Sequence, residues 1–175
     1  MIYIPGNHEP VRNSEPQPPV SKYQAEELVK QLNIIMLSNP AGIKLHKVGI
    51  LMYHGNSINA WLKNIPKQGI ITERSVIRAM VEMLKNRHLA PIHGEMNTTP
   101  TRKDYMVINW IPDIFHTGHV HVKAAGEYNG IILVNSGTMQ RTTPYMRKQG
   151  IEATVGEIPV INLATGSITW LNLKK

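Results

Sequence analysis

Two β-type runs, Val122 to Tyr128 and Ile131 to Asn135, flank Asn129-Gly130. That dipeptide favours the left-handed backbone of a two-residue hairpin turn, so the runs are expected to pair antiparallel as neighbours in one sheet. A second pair, Ile158 to Leu163 and Ile168 to Leu173, is split by Ala164-Thr165-Gly166, which makes the final third mostly β. Earlier, from Thr72 to about Arg87, Val76, Ile77, Met80, Val81 and Leu84 recur at helical spacing, with Thr72 available as N-cap. A strong amphipathic helix ahead of a run of hairpins predicts an α/β layered domain.

The rest of the chain is read with shorter signals. Ile2 to Ile4 is a brief β-type run broken at Pro5-Gly6, so the chain opens inside a strand and reads as a piece missing its front. Pro10 to Pro19 is loop. Ser21 with Gln24 has capping-box form and predicts a surface-lying helix through about Leu32. Ile34 to Leu37 and Gly49 to Tyr53 are β-rich, and Asn39-Pro40-Ala41-Gly42 supplies turn chemistry before Ile43 to Lys47. Tyr105 to Ile108 and Ile114 to Thr117 read as further strands.

Composition narrows the chemistry. The 175 residues suit one compact domain, and zero cysteines exclude disulfides, thiolate zinc fingers, iron-sulfur clusters and a cysteine nucleophile. A formal charge of +7 favours a polyanionic partner such as nucleic acid. No stretch has the length of a membrane span, and the N-terminus lacks signal-peptide form, so a cytoplasmic location is expected.

Two short motifs carry candidate chemistry. Gly6-Asn7-His8-Glu9 sits where a strand gives way to a loop, although an asparagine beside a histidine in a turn is more often structural. In Gly118-His119-Val120-His121, an extended backbone would point both imidazoles to one face, within reach of neighbouring metal ions; two histidines on a polar strand face are the plain alternative. Asn7, His8, His119 and His121 together suit a two-metal hydrolytic site better than a tetrahedral structural one. Such a site needs anionic oxygens to bridge the ions, and Asp104 and Asp113 are poorly placed to supply them.

With these stand Pro16-Gln17-Pro18, Met52-Tyr53-His54-Gly55, Arg87-His88-Leu89-Ala90-Pro91, the run from Pro112 to His121, and Asn135-Ser136-Gly137-Thr138. In this order they resemble the calcineurin-like metallophosphoesterases, and within them the small subunits of archaeal family D DNA polymerases. The resemblance implies a layered β-sandwich flanked by helices and incomplete at its N-terminus. It implies a centre of two divalent metal ions, manganese in type, hydrolysing DNA 3′ to 5′ as a proofreading exonuclease beside a large catalytic polymerase subunit. By the same resemblance Asn7, His88 and His119 would ligate one metal and His121 the other, and His8 would face the scissile phosphate as the catalytic residue. The family places an OB domain, an Asp-x-His motif and a Gly-Asp-x-x-Asp motif upstream of Gly-Asn-His. Residues 1–175 therefore read as the C-terminal portion of one phosphoesterase domain, which alone should hold metal poorly and hydrolyse little. A catalytically inactive scaffold that docks the large subunit is the alternative.

Glu9 stands where the family more usually has aspartate, and is expected behind the ligands, where it would orient His8. His54 is expected in a similar supporting role rather than as a ligand. His46, His93 and His116 read as surface or packing residues, with His116 pointing away from His119. Arg141, Arg147 and Lys148 form a basic stretch that is either a solvated loop or a contact for a phosphate backbone. Trp61, Trp110 and Trp170 are scattered, which suits packing better than base stacking.

Overall fold

The computed structural model describes residues 1–64, 71–90, 92, 94–148 and 150–173. In chain order the elements are β1 (Ile2–Tyr3), α1 (Glu26–Leu32), β2 (Ile35–Met36), β3 (Ala41–Leu45), β4 (Val48–Met52), α2 (Ile58–Asn64), α3 (Glu73–Lys85), β5 (Ile114–Thr117), β6 (Lys123–Tyr128), β7 (Ile131–Ser136), α4 (Pro144–Lys148), β8 (Glu157–Ile161) and β9 (Ile168–Asn172).

A five-stranded mixed sheet of order β3-β4-β5-β7-β6 is the centre. Its inner strands β4, β5 and β7 run parallel, and β3 and β6 join them antiparallel through hairpins. The β6–β7 turn falls on Asn129-Gly130, both with positive φ, and Tyr128 pairs Ile131 as the motif requires. Among the described residues the expected β-sandwich is thus one full sheet accompanied by two ribbons, parallel β1-β2 and antiparallel β8-β9, with helices against it. The α/β layered class holds.

One face of the sheet makes the core. Leu51, Phe115 and Leu133 lie in register across β4, β5 and β7, and Val76, Ala79, Met80 and Met83 of α3 bury against them. The leucine, phenylalanine, valine and methionine side chains among these stabilise by about 1.5–3 kcal/mol each when withdrawn from water. The α3 N-terminus is closed by a capping box in which Thr72 Oγ1 accepts from Ser75 N–H. α2, which carries buried Ile58, Trp61 and Leu62, is not anticipated from sequence: at seven residues its apolar pattern is too short to show a period.

Three other expectations are corrected. Residues 105–108 form no strand; Met106 and Ile108 enter the core while the backbone pairs with Leu89 and Arg87 in isolated contacts. The Ser21–Gln24 side-chain pair forms, but it closes a turn, and α1 begins a turn later at Glu26 with no side-chain cap. Arg147 and Lys148 lie in a short helix, α4.

Candidate functional site

Strands β4 and β5 end side by side, and the loops leaving their carboxyl ends meet, the usual place for ligands on a parallel sheet. Gly118 N–H donates to His54 O at 3.0 Å, which ties the two loops together. The turn after β1 brings Asn7 to the same place. Asn7 Oδ1 is 2.9 Å from His54 Nε2, which in turn lies 3.2 Å from His119 Nδ1. The His54 and His119 rings are edge to face with centroids 5.0 Å apart. Asn7, His8, His54, His119 and His121 all line one cavity of about 610 Å³, closed further by Ser136 at the end of β7 and Gly137 just after it.

A buried polar trio holds this meeting point. Gln17 Nε2 donates to Gly6 O at 2.9 Å, fixing the turn that carries Asn7. Asn39 Oδ1 accepts from His54 N–H at 2.8 Å, fixing the other side, and Asn39 Nδ2 donates to Gln17 Oε1 at 2.7 Å and Glu15 Oε1 at 3.0 Å. Glu15, fully buried, also accepts from Tyr53 Oη and Asn56 Nδ2; burial raises its carboxyl above the usual range despite these donors. Gln17 and Asn39 stand in motifs that the sequence offers, Pro16-Gln17-Pro18 and Asn39-Pro40-Ala41-Gly42, but neither motif signals that its amide is buried or that the two meet.

Burial drives the imidazoles toward the neutral form. His54 is lowered to about 4 and His119 to about 3, burial being the main cause and the neighbouring histidines adding to it for both; Glu9 acts against it at His54. His121 is lowered by burial and His8. Neutral rings keep a lone pair for a ligand at neutral pH. Burial works to raise the Glu9 carboxyl, but the Tyr3 hydroxyl at 2.7 Å and the Gly6 N–H at 2.6 Å outweigh it and hold it low. Glu9 therefore braces the turn.

The motif histidines reach the cavity by an unexpected backbone. His119 and His121 do not lie in an extended strand: their φ angles are 66° and 60°, in the left-handed region, after β5 has ended at Thr117. Such a conformation costs an L residue roughly 1–2 kcal/mol, and histidine is among the types found there more often. His88 does not join His119 and His121. It sits beyond α3, where Nδ1 accepts from Ala90 N–H at 3.0 Å and Nε2 is 2.9 Å from Asp104 Oδ2. It lines a separate cavity of about 470 Å³ with Glu15, Asp104 and Thr98. His54, expected in a supporting role rather than as a ligand, stands between Asn7 and His119, where His88 was expected; the strand-end position of Met52-Tyr53-His54-Gly55 was the available signal. His116 is packed, its Nε2 buried without a partner among the described residues. His46 lies exposed in the β3–β4 turn, and His93 and Pro91 are outside the described residues.

The donors can be tested against a metal shell. Atoms ligating one ion at about 2.0–2.1 Å and tetrahedral angles stand about 3.3 Å apart, and the Asn7–His54–His119 separations of 2.9 and 3.2 Å have that scale. His121 Nδ1 is buried without a partner among the described residues. Among the described residues no group of three or more His, Cys, Asp or Glu is arranged to hold a metal, and the Glu9 and Glu15 carboxylates accept hydrogen bonds from Tyr3 and Tyr53. The chain thus offers neutral donors for one side of a shell and does not by itself fit a two-ion centre.

An α/β layered domain with imidazoles and an amide gathered at the ends of parallel strands defines the class. The chain belongs to the family of DNA polymerase alpha/epsilon B subunits, which matches residues 1–124. It is 40% identical over 163 residues to the DNA polymerase II small subunit of Methanothermobacter thermautotrophicus, covering 93% of this chain and 33% of that protein. To the Pyrococcus furiosus DNA polymerase II small subunit it is 37% identical over 169 residues, covering 96% and 27%. The chain thus spans about a third or less of the length of these relatives. Among solved structures it is similar to Vacuolar Protein Sorting 29 from Cryptosporidium parvum, at 16% identity, 86% and 74% coverage and TM-score 0.39, a likeness too loose to carry an argument. Among the described residues no helix is long and apolar enough to cross a membrane.

Proposed function

We propose that this chain is the histidine-bearing portion of a DNA polymerase small subunit whose complete centre hydrolyses DNA from the 3′ end. The observation that carries the reading is the convergence of Asn7 Oδ1, His54 Nε2 and His119 Nδ1 from three loops at one cavity. Asn7, His54, His119 and His121 would hold divalent ions, manganese by the resemblance, together with carboxylates from a further segment. Such ions supply Lewis acidity toward phosphoryl oxygens. His8, exposed at the cavity wall, would meet the phosphate and donate a proton or a hydrogen bond. Arg141, Arg147 and Lys148 are exposed beside Gln140, Thr143 and Met146 of the same cavity, where they would attract the DNA backbone. The large polymerase subunit would be the partner.

The second reading is a scaffold subunit without catalysis, favoured by the absence, among the described residues, of any group of three or more His, Cys, Asp or Glu that could hold a metal ion. Manganese titration by calorimetry separates the two. The chain alone should bind weakly. With an upstream segment of a relative carrying Asp-x-His and Gly-Asp-x-x-Asp, it should bind at least about tenfold more tightly and shorten single-stranded DNA from its 3′ end. Tight binding without shortening would leave the scaffold.

A further inference from the structure

We propose that the free edge of β3 is a docking site for an extended segment of a partner protein, apolar at alternate positions and acidic between them, added to the sheet as a further strand. β3 ends the five-stranded sheet and pairs, among the described residues, with β4 alone. The hairpin closes at Leu45↔Val48, and Lys44 lies opposite Gly49. Gly49 N–H donates to Asp113 Oδ2 at 2.6 Å and Gly49 O accepts from Asp113 N–H at 2.8 Å, so Gly49 spends its backbone groups on the β5 side. Lys44 then faces outward, and by the antiparallel alternation so does Gly42. Their N–H and C=O groups form a short unpaired template.

A groove runs beside this template. A cavity of about 150 Å³ is lined by Gly42, Lys103, Tyr105, Val107 and Trp110 among others. Tyr105 is 56% and Val107 45% exposed, large apolar side chains with no covering element. The Trp110 ring lies across the hairpin, where a Cβ on Gly42 would meet it at 3.1 Å and one on Gly49 at 2.9 Å. Glycine at both positions lets the indole form the groove floor.

Charge selects the occupant. Lys44, Lys47, Arg102 and Lys103 are exposed around the groove, while Asp104 is engaged by His88. Pairing β3 with a second copy of itself would bring Lys44 and Lys47 against their like, a repulsive arrangement. A single-stranded nucleic acid could stack on Tyr105 and meet the charge, but it lacks the alternating backbone N–H and C=O groups that would pair with those of Gly42 and Lys44. An acidic extended peptide satisfies the backbone, the groove and the charge together.

The test pans a phage library of random decapeptides on the full chain, then follows amide exchange with the enriched peptides. Enriched sequences should alternate apolar residues with Asp or Glu and slow exchange at Gly42 and Lys44 about tenfold or more. Lys44→Pro removes an outward N–H without touching a bond to β4, and should weaken binding about tenfold; Lys44→Gln should weaken it less, through charge alone. If Lys44→Pro fails to fold, protection of the two amides in the unaltered chain decides. Absence of enrichment, enrichment without acidic alternation, or unchanged binding by folded Lys44→Pro overturns the proposal. So does equal protection by oligo-dT or by raised chain concentration.

Discussion

Acidification tests whether the buried imidazoles are neutral in the fold. His54 and His119 titrate near 4 and 3 in the folded chain, against about 6.5 when unfolded. The unfolded state therefore binds more protons below neutrality, so stability is fully present above about pH 6.5 and is lost as pH falls through the folded values. Between about pH 7.5 and about pH 5.5 each histidine should cost about 1.4 kcal/mol, or nearly 3 kcal/mol for the pair. That is a large share of the roughly 5–15 kcal/mol typical of a domain. His116 and His121, also lowered by burial, add in the same direction. Glu15, raised by burial, opposes them: its contribution is present below its unfolded pKa and is lost as pH rises through the folded one. Urea unfolding at the two pH values, followed by circular dichroism, measures the difference, and Glu15→Gln removes the opposing part. The double variant His54→Gln, His119→Gln should lose about half or more of the pH dependence. A change below about 1 kcal/mol in both the unaltered chain and Glu15→Gln, or full pH dependence in the double variant, would refute the reasoning.

Further outcomes follow from packing. Gly6→Ala places a Cβ against the His54 ring, 2.7 Å from Nδ1, and should cost about 1–3 kcal/mol and shift the His54 ring resonances in NMR. Gln17→Leu leaves Asn39 Nδ2 and Gly6 O short of a partner; urea unfolding should show a loss of about 1–3 kcal/mol. Thr72→Ala removes the α3 cap, and thermal melts should register about 1 kcal/mol. Phe115→Ala opens a cavity under α3, with about 3–5 kcal/mol lost in the same assay.

What the sequence disclosed depended on the range of the signal. The α3 helix and the Asn129-Gly130 hairpin are local, with spacing and turn chemistry inside one segment, and both stand as expected. Element ends elsewhere drift: β3 begins at Ala41, two residues before the expected run, because pairing with β4 sets its start. For the site, Asn7, His8, His119 and His121 do reach one cavity, whereas His88 does not. His88 follows a helix and His54 a parallel strand, and only the sheet decides which of them faces Asn7. In the Glu15–Gln17–Asn39 trio, Asn39 reaches Glu15 and Gln17 across 24 and 22 positions of the chain, so no local pattern announces their meeting.

The left-handed backbone at His119 and His121 decides how these positions should be mutated. Alanine there deletes the imidazole but keeps a Cβ that the conformation disfavours, so its effect mixes lost chemistry with retained torsional penalty. Glycine deletes the ring and relaxes the torsion, so the difference between the two replacements separates what the side chain does from what its awkward perch costs.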